Sequence, residues 1–202
     1  MRIFPASYLQ ALQDVPEQGG GVAHFFYIEP RDRQTGDVVP YAFWTGQEDV
    51  PVTVTRPDGV EVTRTYLGNR GLIVGSISYV GTLTSQSVSV SLSQSEPEPQ
   101  EIVRQHDAQR AYCEIYTAVM NKGAFPGPPQ LEWVGVLDKA PIKTPAIGGR
   151  GQIALTIRSE MMWQLGRSNP AKSSHEHQRR RRSDDDFCKY ATLAESRKVL
   201  LS

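Results

Sequence analysis

The clearest alternation in the chain runs over residues 87–93, where Val88, Val90 and Leu92 are interleaved with four serines. A period of two places the three apolar side chains on one face of a strand and the serines on the other. One wet face argues for an antiparallel sheet, because parallel strands are usually covered on both sides. The same period recurs around Pro57-Asp58-Gly59, with Val52 and Val54 before the turn, Val60 and Val62 after it and Tyr66 beyond, and predicts a β-hairpin. Residues 24–28 and 41–44 read as strands dense in aromatic and branched side chains. Further strands are expected over 72–80, 111–120, 131–138 and 152–158, the last with Ile153, Leu155 and Ile157 inward.

Helical spacing is confined to short stretches. Ile3, Tyr8, Leu9 and Leu12 predict an amphipathic helix over 1–13 that docks an end of the fold and is terminated by Pro16 and the glycines 19–21. Glu96-Pro97-Glu98-Pro99 reads as a break, after which residues 101–110 have room for a helical turn or two. Residues 29–37, 122–129 and 141–151 carry the glycine and proline of loops. Short strands punctuated at roughly 8–12-residue intervals imply a mainly β protein, an antiparallel β-sandwich or partly closed barrel with a short N-terminal helix. Residues 1–170 form the β-rich domain, with 1–21 as its docking segment, and 171–202 form a charged C-terminal arm.

Composition narrows this reading. A chain of 202 residues suits one domain with appendages, and 22 basic against 22 acidic residues leave no overall field to recruit a polyanion or an acidic membrane surface. Two distant cysteines, Cys113 and Cys188, exclude a disulfide-stapled mini-fold and a four-cysteine metal or iron–sulfur site within one chain, and reduced thiols are expected. Residues 1–12 lack a basic leader with an apolar core, and no run approaches the ~20 apolar residues of a membrane span. The expectation is a soluble protein without a cleavable export signal.

Candidate chemistry concentrates in residues 173–190. Four arginines, Arg179, Arg180, Arg181 and Arg182, face three aspartates, Asp184, Asp185 and Asp186, ahead of Phe187 and Tyr190. Guanidinium groups bind phosphate, but adjacent carboxylates neutralise such a field within a Debye length of about 8–10 Å. His175, His177 and Cys188 are zinc-capable ligand types whose spacing matches no established motif. The remaining readings are a flexible charged loop and a contact arm in which Arg and Asp of neighbouring chains pair while Phe187 and Tyr190 pack back onto the sheet. No nucleophile elbow, metalloprotease helix or phosphate-binding glycine loop is present, and residues 148–151 read as a turn. His24 and His106 stand isolated and Cys113 reads as a buried small side chain, so no catalytic residue, metal or cofactor is expected. Trp44, Trp133 and Trp163 leave a second class open, a carbohydrate-binding β-sandwich module for host-surface attachment, although large rings are more often core.

The strand order through Tyr112-Cys113-Glu114-Ile115-Tyr116, then Leu131, Trp133, Gly135 and Val136, then Ile153, Leu155, Ile157 and Ser159, ends in Ser174, Gln178, Arg182, Asp186, Phe187 and Tyr190. Over residues 41–190 this resembles the tail-tip and baseplate-hub (distal tail) proteins of long-tailed bacteriophages and gene transfer agents. The resemblance implies a non-catalytic virion subunit, assembled in the host cytoplasm as a trimeric or hexameric homo-oligomeric ring, with three favoured. It further implies contacts with tail tube, tape measure, distal tail ring, hub or fibre, and DNA passing through the lumen. Loops 122–129 and 141–151 would serve as contact arms that order in the assembly. Related hub proteins carry an iron–sulfur cluster in a C-terminal extension; this chain lacks the cysteines, so none is carried over.

Overall fold

The computed structural model describes residues 6–18, 20–78, 86–145, 149, 151–161 and 174–190. It is mainly β and antiparallel, as the alternation predicts. In chain order the elements are α1 (Ala6–Gln18), β1 (Gly20–Asp32), β2 (Tyr41–Trp44), β3 (Val50–Thr55), β4 (Glu61–Tyr66), β5 (Ile73–Val74), β6 (Ser87–Ser93), α2 (Pro97–Arg104), β7 (His106–Asn121), β8 (Gln130–Lys139), β9 (Ile142–Lys143), β10 (Gln152–Ser159) and α3 (His175–Arg181). The chain divides into two compact units, Met1–Gln164 and Leu165–Ser202.

In the first unit the strands form a curled half-barrel in the order β2-β1-β7-β8-β10-β6-β5, with β9 beside β10 and β3-β4 as a separate hairpin. The inner face is one apolar core. Val88, Val90 and Leu92 of β6 meet Ile153, Leu155 and Ile157 of β10, Cys113 and Ile115 of β7, and Phe26 and Ile28 of β1. The hairpin covers the opposite face of β1 and β7, where Val52, Val54 and Tyr66 pack on Phe25, Tyr27, Trp44 and Tyr116. Double coverage explains why 24–28 and 111–119 are apolar runs while β6 and β10 alternate, since only the latter keep a wet face.

The half-barrel is closed by residues 67–74. Leu67 bridges Phe43 of β2 in parallel, its N–H donating to Ala42 O at 2.9 Å and its carbonyl accepting from Trp44 N at 3.1 Å. A few residues on, Arg70 O accepts from Ser93 N and β5 pairs with β6, so one segment links the two outer strands of the sheet. Helix α2 buries Ile102 in the inner core, and Arg70 holds the helix start through a two-pronged bond to Glu98 at 2.7 and 2.8 Å.

Several boundaries differ from the sequence reading. Pro97 does not break the chain; it occupies the first helical turn of α2, where a missing N–H costs nothing. β1 runs on to Asp32, with Pro30 at a register shift where no ladder donor is needed. β7 starts at His106 because β1 is there to pair with it. Only Ile73–Val74 of the expected 72–80 strand is paired, and residues 79–80 lie outside the described set. α1 continues past Pro16 to Gln18 and buries Tyr8 and Ala11 against Val119, leaving Leu9 and Leu12 exposed. Loop 122–129 is turned inward by Phe125, which packs edge-on to Phe25 and Trp44. Gly59 takes φ +84° in the hairpin turn, and Val60 beside it is exposed rather than inward.

Candidate functional site

The charged arm is locally folded. Ser174 caps α3, its Oγ accepting from His177 N at 3.3 Å. Arg179 Nε donates to Ser183 O at 3.2 Å, and Arg182 pairs with Asp184 at 2.9 and 3.3 Å. Asp185 accepts from Phe187 N at 3.0 Å, Asp186 O from Lys189 N at 3.0 Å, and Gln178 Oε1 from Cys188 N at 3.1 Å. Asp186 also lies 3.8 Å from His175 Nε2. Gln178 thus ties the helix to the turn that follows it. Cys188 is buried, whereas Phe187 and Tyr190 are 89% and 66% exposed in the single chain. Among the described residues, Arg179, Arg180 and Arg181 form no ion pair. His175 and His177 sit on a helix and point about 160° apart around it. No three His, Cys, Asp or Glu side chains converge at metal spacing among the described residues.

The sequence reading missed a buried polar cluster beneath the hairpin. Glu114 of β7 is fully buried and accepts from Arg64 of β4 and from the hydroxyls of Tyr112 and Tyr116, each at 3.0 Å. Arg64 also lies over the Tyr27 ring at 3.5 Å, and Tyr27 donates to Glu29 at 2.8 Å. Burial opposes the Arg64 charge, but its bond to Glu114 more than offsets that, so the guanidinium stays protonated. Tyr66 Oη is buried near Arg64 without hydrogen-bonding geometry, and burial pushes its pKa up to about 12. Tyr-x-Glu-x-Tyr on one strand face was the available signal: a lone carboxylate within an apolar strand requires a cation, and Val62, Arg64 and Tyr66 share the inward face of β4.

Neither His24 nor His106 is isolated. His24 Nδ1 lies 3.3 Å from Thr117 Oγ1, and burial lowers its pKa despite Glu132. His106 is buried where β1, β2, α2 and β7 meet. Its Nε2 is 2.8 Å from Tyr41 Oη, which donates to Glu101 at 3.0 Å, and its Nδ1 is 3.7 Å from Asp32. Burial and Glu101 raise the Tyr41 pKa, so the phenol is held neutral rather than activated. Cys113 is fully buried, its thiol pushed well up by desolvation, which is the inert side chain the sequence predicts. Trp44 is interior, its Nε1 donating to Glu48 O at 2.6 Å, and Trp133 packs at the edge of the inner core. Trp163 lies outside the described residues. No helix among the described residues is long and apolar enough to cross a membrane. Comparison with protein-family models and with curated proteins finds no match.

Proposed function

We propose that this chain is a structural subunit of a long-tailed phage virion, part of a homo-oligomeric ring at the tail tip that joins the tail tube to the tip or fibres. The observation that carries the reading is the arm. A turn held by Asp185 accepting from Phe187 N, Asp186 O from Lys189 N and Gln178 Oε1 from Cys188 N presents Phe187 and Tyr190 to solvent beside three arginines without ion-pair partners among the described residues. An ordered, exposed aromatic pair flanked by cations suits a protein–protein contact, because pre-organised rings lose little entropy on docking. The strand order and the closing motif that runs from Ser174 to Tyr190 support the same reading. Trp44 is interior and offers no exposed ring to the sugar-binding alternative. Mass measurement and electron microscopy of the purified chain test the proposal: closed rings of three or six copies are expected, and a monodisperse monomer at micromolar concentration overturns it.

A further inference from the structure

We infer that His106 is a proton-operated latch: with both ring nitrogens protonated it ties Asp32 at the end of β1 to Tyr41 of β2 and Glu101 of α2, and loss of the Nδ1 proton loosens that corner. The inference is independent of the ring reading above. It follows from counting protons. Tyr41 Oη carries one, which goes to Glu101 at 3.0 Å because a carboxylate can only accept. The 2.8 Å contact between Tyr41 Oη and His106 Nε2 then takes its proton from the ring, so Nε2 donates, a tautomer assigned from its partners. In a neutral imidazole this leaves Nδ1 a bare acceptor, buried and 3.7 Å from Asp32 Oδ2, which is another acceptor. Asp32 is held as a carboxylate: its Oδ1 accepts from Thr35 N at 2.9 Å and Gln34 N at 2.7 Å, and these bonds, the Thr35 one first, lower its pKa. A proton on Nδ1 turns two facing acceptors into an ion pair.

Its position makes this proton a mechanical link. His106 pairs with Asp32 in the last step of the β1–β7 ladder, beyond the register shift at Glu29/Arg31, and it directly follows Gln105, the C-cap of α2. Arg33 fastens the same corner, donating to His106 O at 3.0 Å and to Val103 O at 3.3 Å. Charged and titratable groups face His106 from each neighbouring element. They are Asp32 of β1 with Arg33 beside it, Tyr41 of β2, Glu98 and Glu101 of α2, Asp107 on its own strand, and Asp138 and Lys139 of β8 around a cavity of about 250 Å³. Glu98 is bonded to Arg70 and Asp138 to Arg158, and among the described residues Asp32 is the one carboxylate within ion-pairing distance of the ring. The sign follows: the link is complete with Nδ1 protonated, so its stabilisation is present at acid pH and lost as pH rises through the His106 titration.

Nitrogen NMR of the histidine rings in the wild-type chain reads the latch directly. As pH rises between about 5 and 8, the range in which histidine titrates, His106 should lose the proton on Nδ1 and keep the one on Nε2. A neutral ring protonated on Nδ1 with Nε2 bare overturns the proton count. Amide exchange reads the link. After correction for the intrinsic pH dependence of exchange, protection at 101–104 should fall roughly tenfold across the His106 titration, the contribution of about one hydrogen bond to a charged group. Asp32→Asn keeps an oxygen to accept from Gln34 N and Thr35 N and offers an amide donor to the bare Nδ1, so in that variant the protection should be nearly independent of pH. Both wild-type measurements stand should the variant fail to fold. Protection at 101–104 that ignores pH in the wild type, or that falls equally in folded Asp32→Asn protein, overturns the latch.

Discussion

Glu114 is the residue on which most of the buried polar chemistry converges. Its carboxylate has no exposure, whereas the Arg64 side chain retains about 10%, so the two partners are not equivalent. Arg64→Ala leaves a buried charge with no cation and should cost about 3–5 kcal/mol. Glu114→Gln keeps one acceptor oxygen, so one of the two tyrosine hydroxyls must turn to accept from the new amide, but it leaves Arg64 a route towards water and removes the buried charge, so it should cost less. Urea denaturation of both variants checks the order, and the reverse order would refute this account of the site. The partly and fully buried tyrosines make an alkaline prediction. Tyr27, Tyr41, Tyr66, Tyr112 and Tyr116 all have raised pKa values, burial being the first cause in each. A raised folded value means the stabilisation is complete below the unfolded value near 10 and is lost as pH rises through the folded values. Five of the eight tyrosines should therefore show phenolate absorbance only well above pH 10, Tyr66 at about 12, with stability falling steeply over that range. Ionisation of all eight near pH 10 in folded protein would contradict it.

At the scale of elements, β6, β10 and the β3–β4 hairpin could be read directly, because a pleat sends alternate side chains to opposite faces whatever lies nearby. Elements that depend on a neighbour could not. β7 extends to His106 because β1 is there to pair with it, and β5 ends at Val74, with Gly75 N still donating to Ser89 O, although the residues after it were expected to continue the strand. α2 was hidden by its prolines, which read as a break until Pro97 is seen at the helix start. Two elements carry predictions. Arg70→Ala removes the two-pronged bond that ties the closing segment to α2. It should cost about 1 kcal/mol, given the partial exposure of both partners, and should speed amide exchange at Ile73, Val74 and 101–104. Ser174→Ala removes the α3 cap and should destabilise that helix by about 1 kcal/mol, visible as faster exchange at His177. Unchanged exchange in either variant would deny the element its assigned role.

For the whole molecule, the half-barrel solves the edge problem of an open sheet by drawing residues 67–74 from β2 to β6, and the hairpin shields the other face of β1 and β7. Assembly through the arm should weaken as ionic strength rises, because exposed arginine–carboxylate contacts are screened over about 8–10 Å at moderate salt. Assembly that is insensitive to salt would argue for an apolar contact alone. Local pattern was enough to establish an antiparallel β protein and the inward faces of β6 and β10, since strand period and turn chemistry act over a few residues. Closure of the sheet, the strands buried on both faces, the pairing of Arg64 with Glu114 fifty positions away, and the meeting of His106 with Tyr41 all required the folded chain. Each joins residues far apart in sequence, and no short-range pattern specifies which distant partner a buried polar group will find.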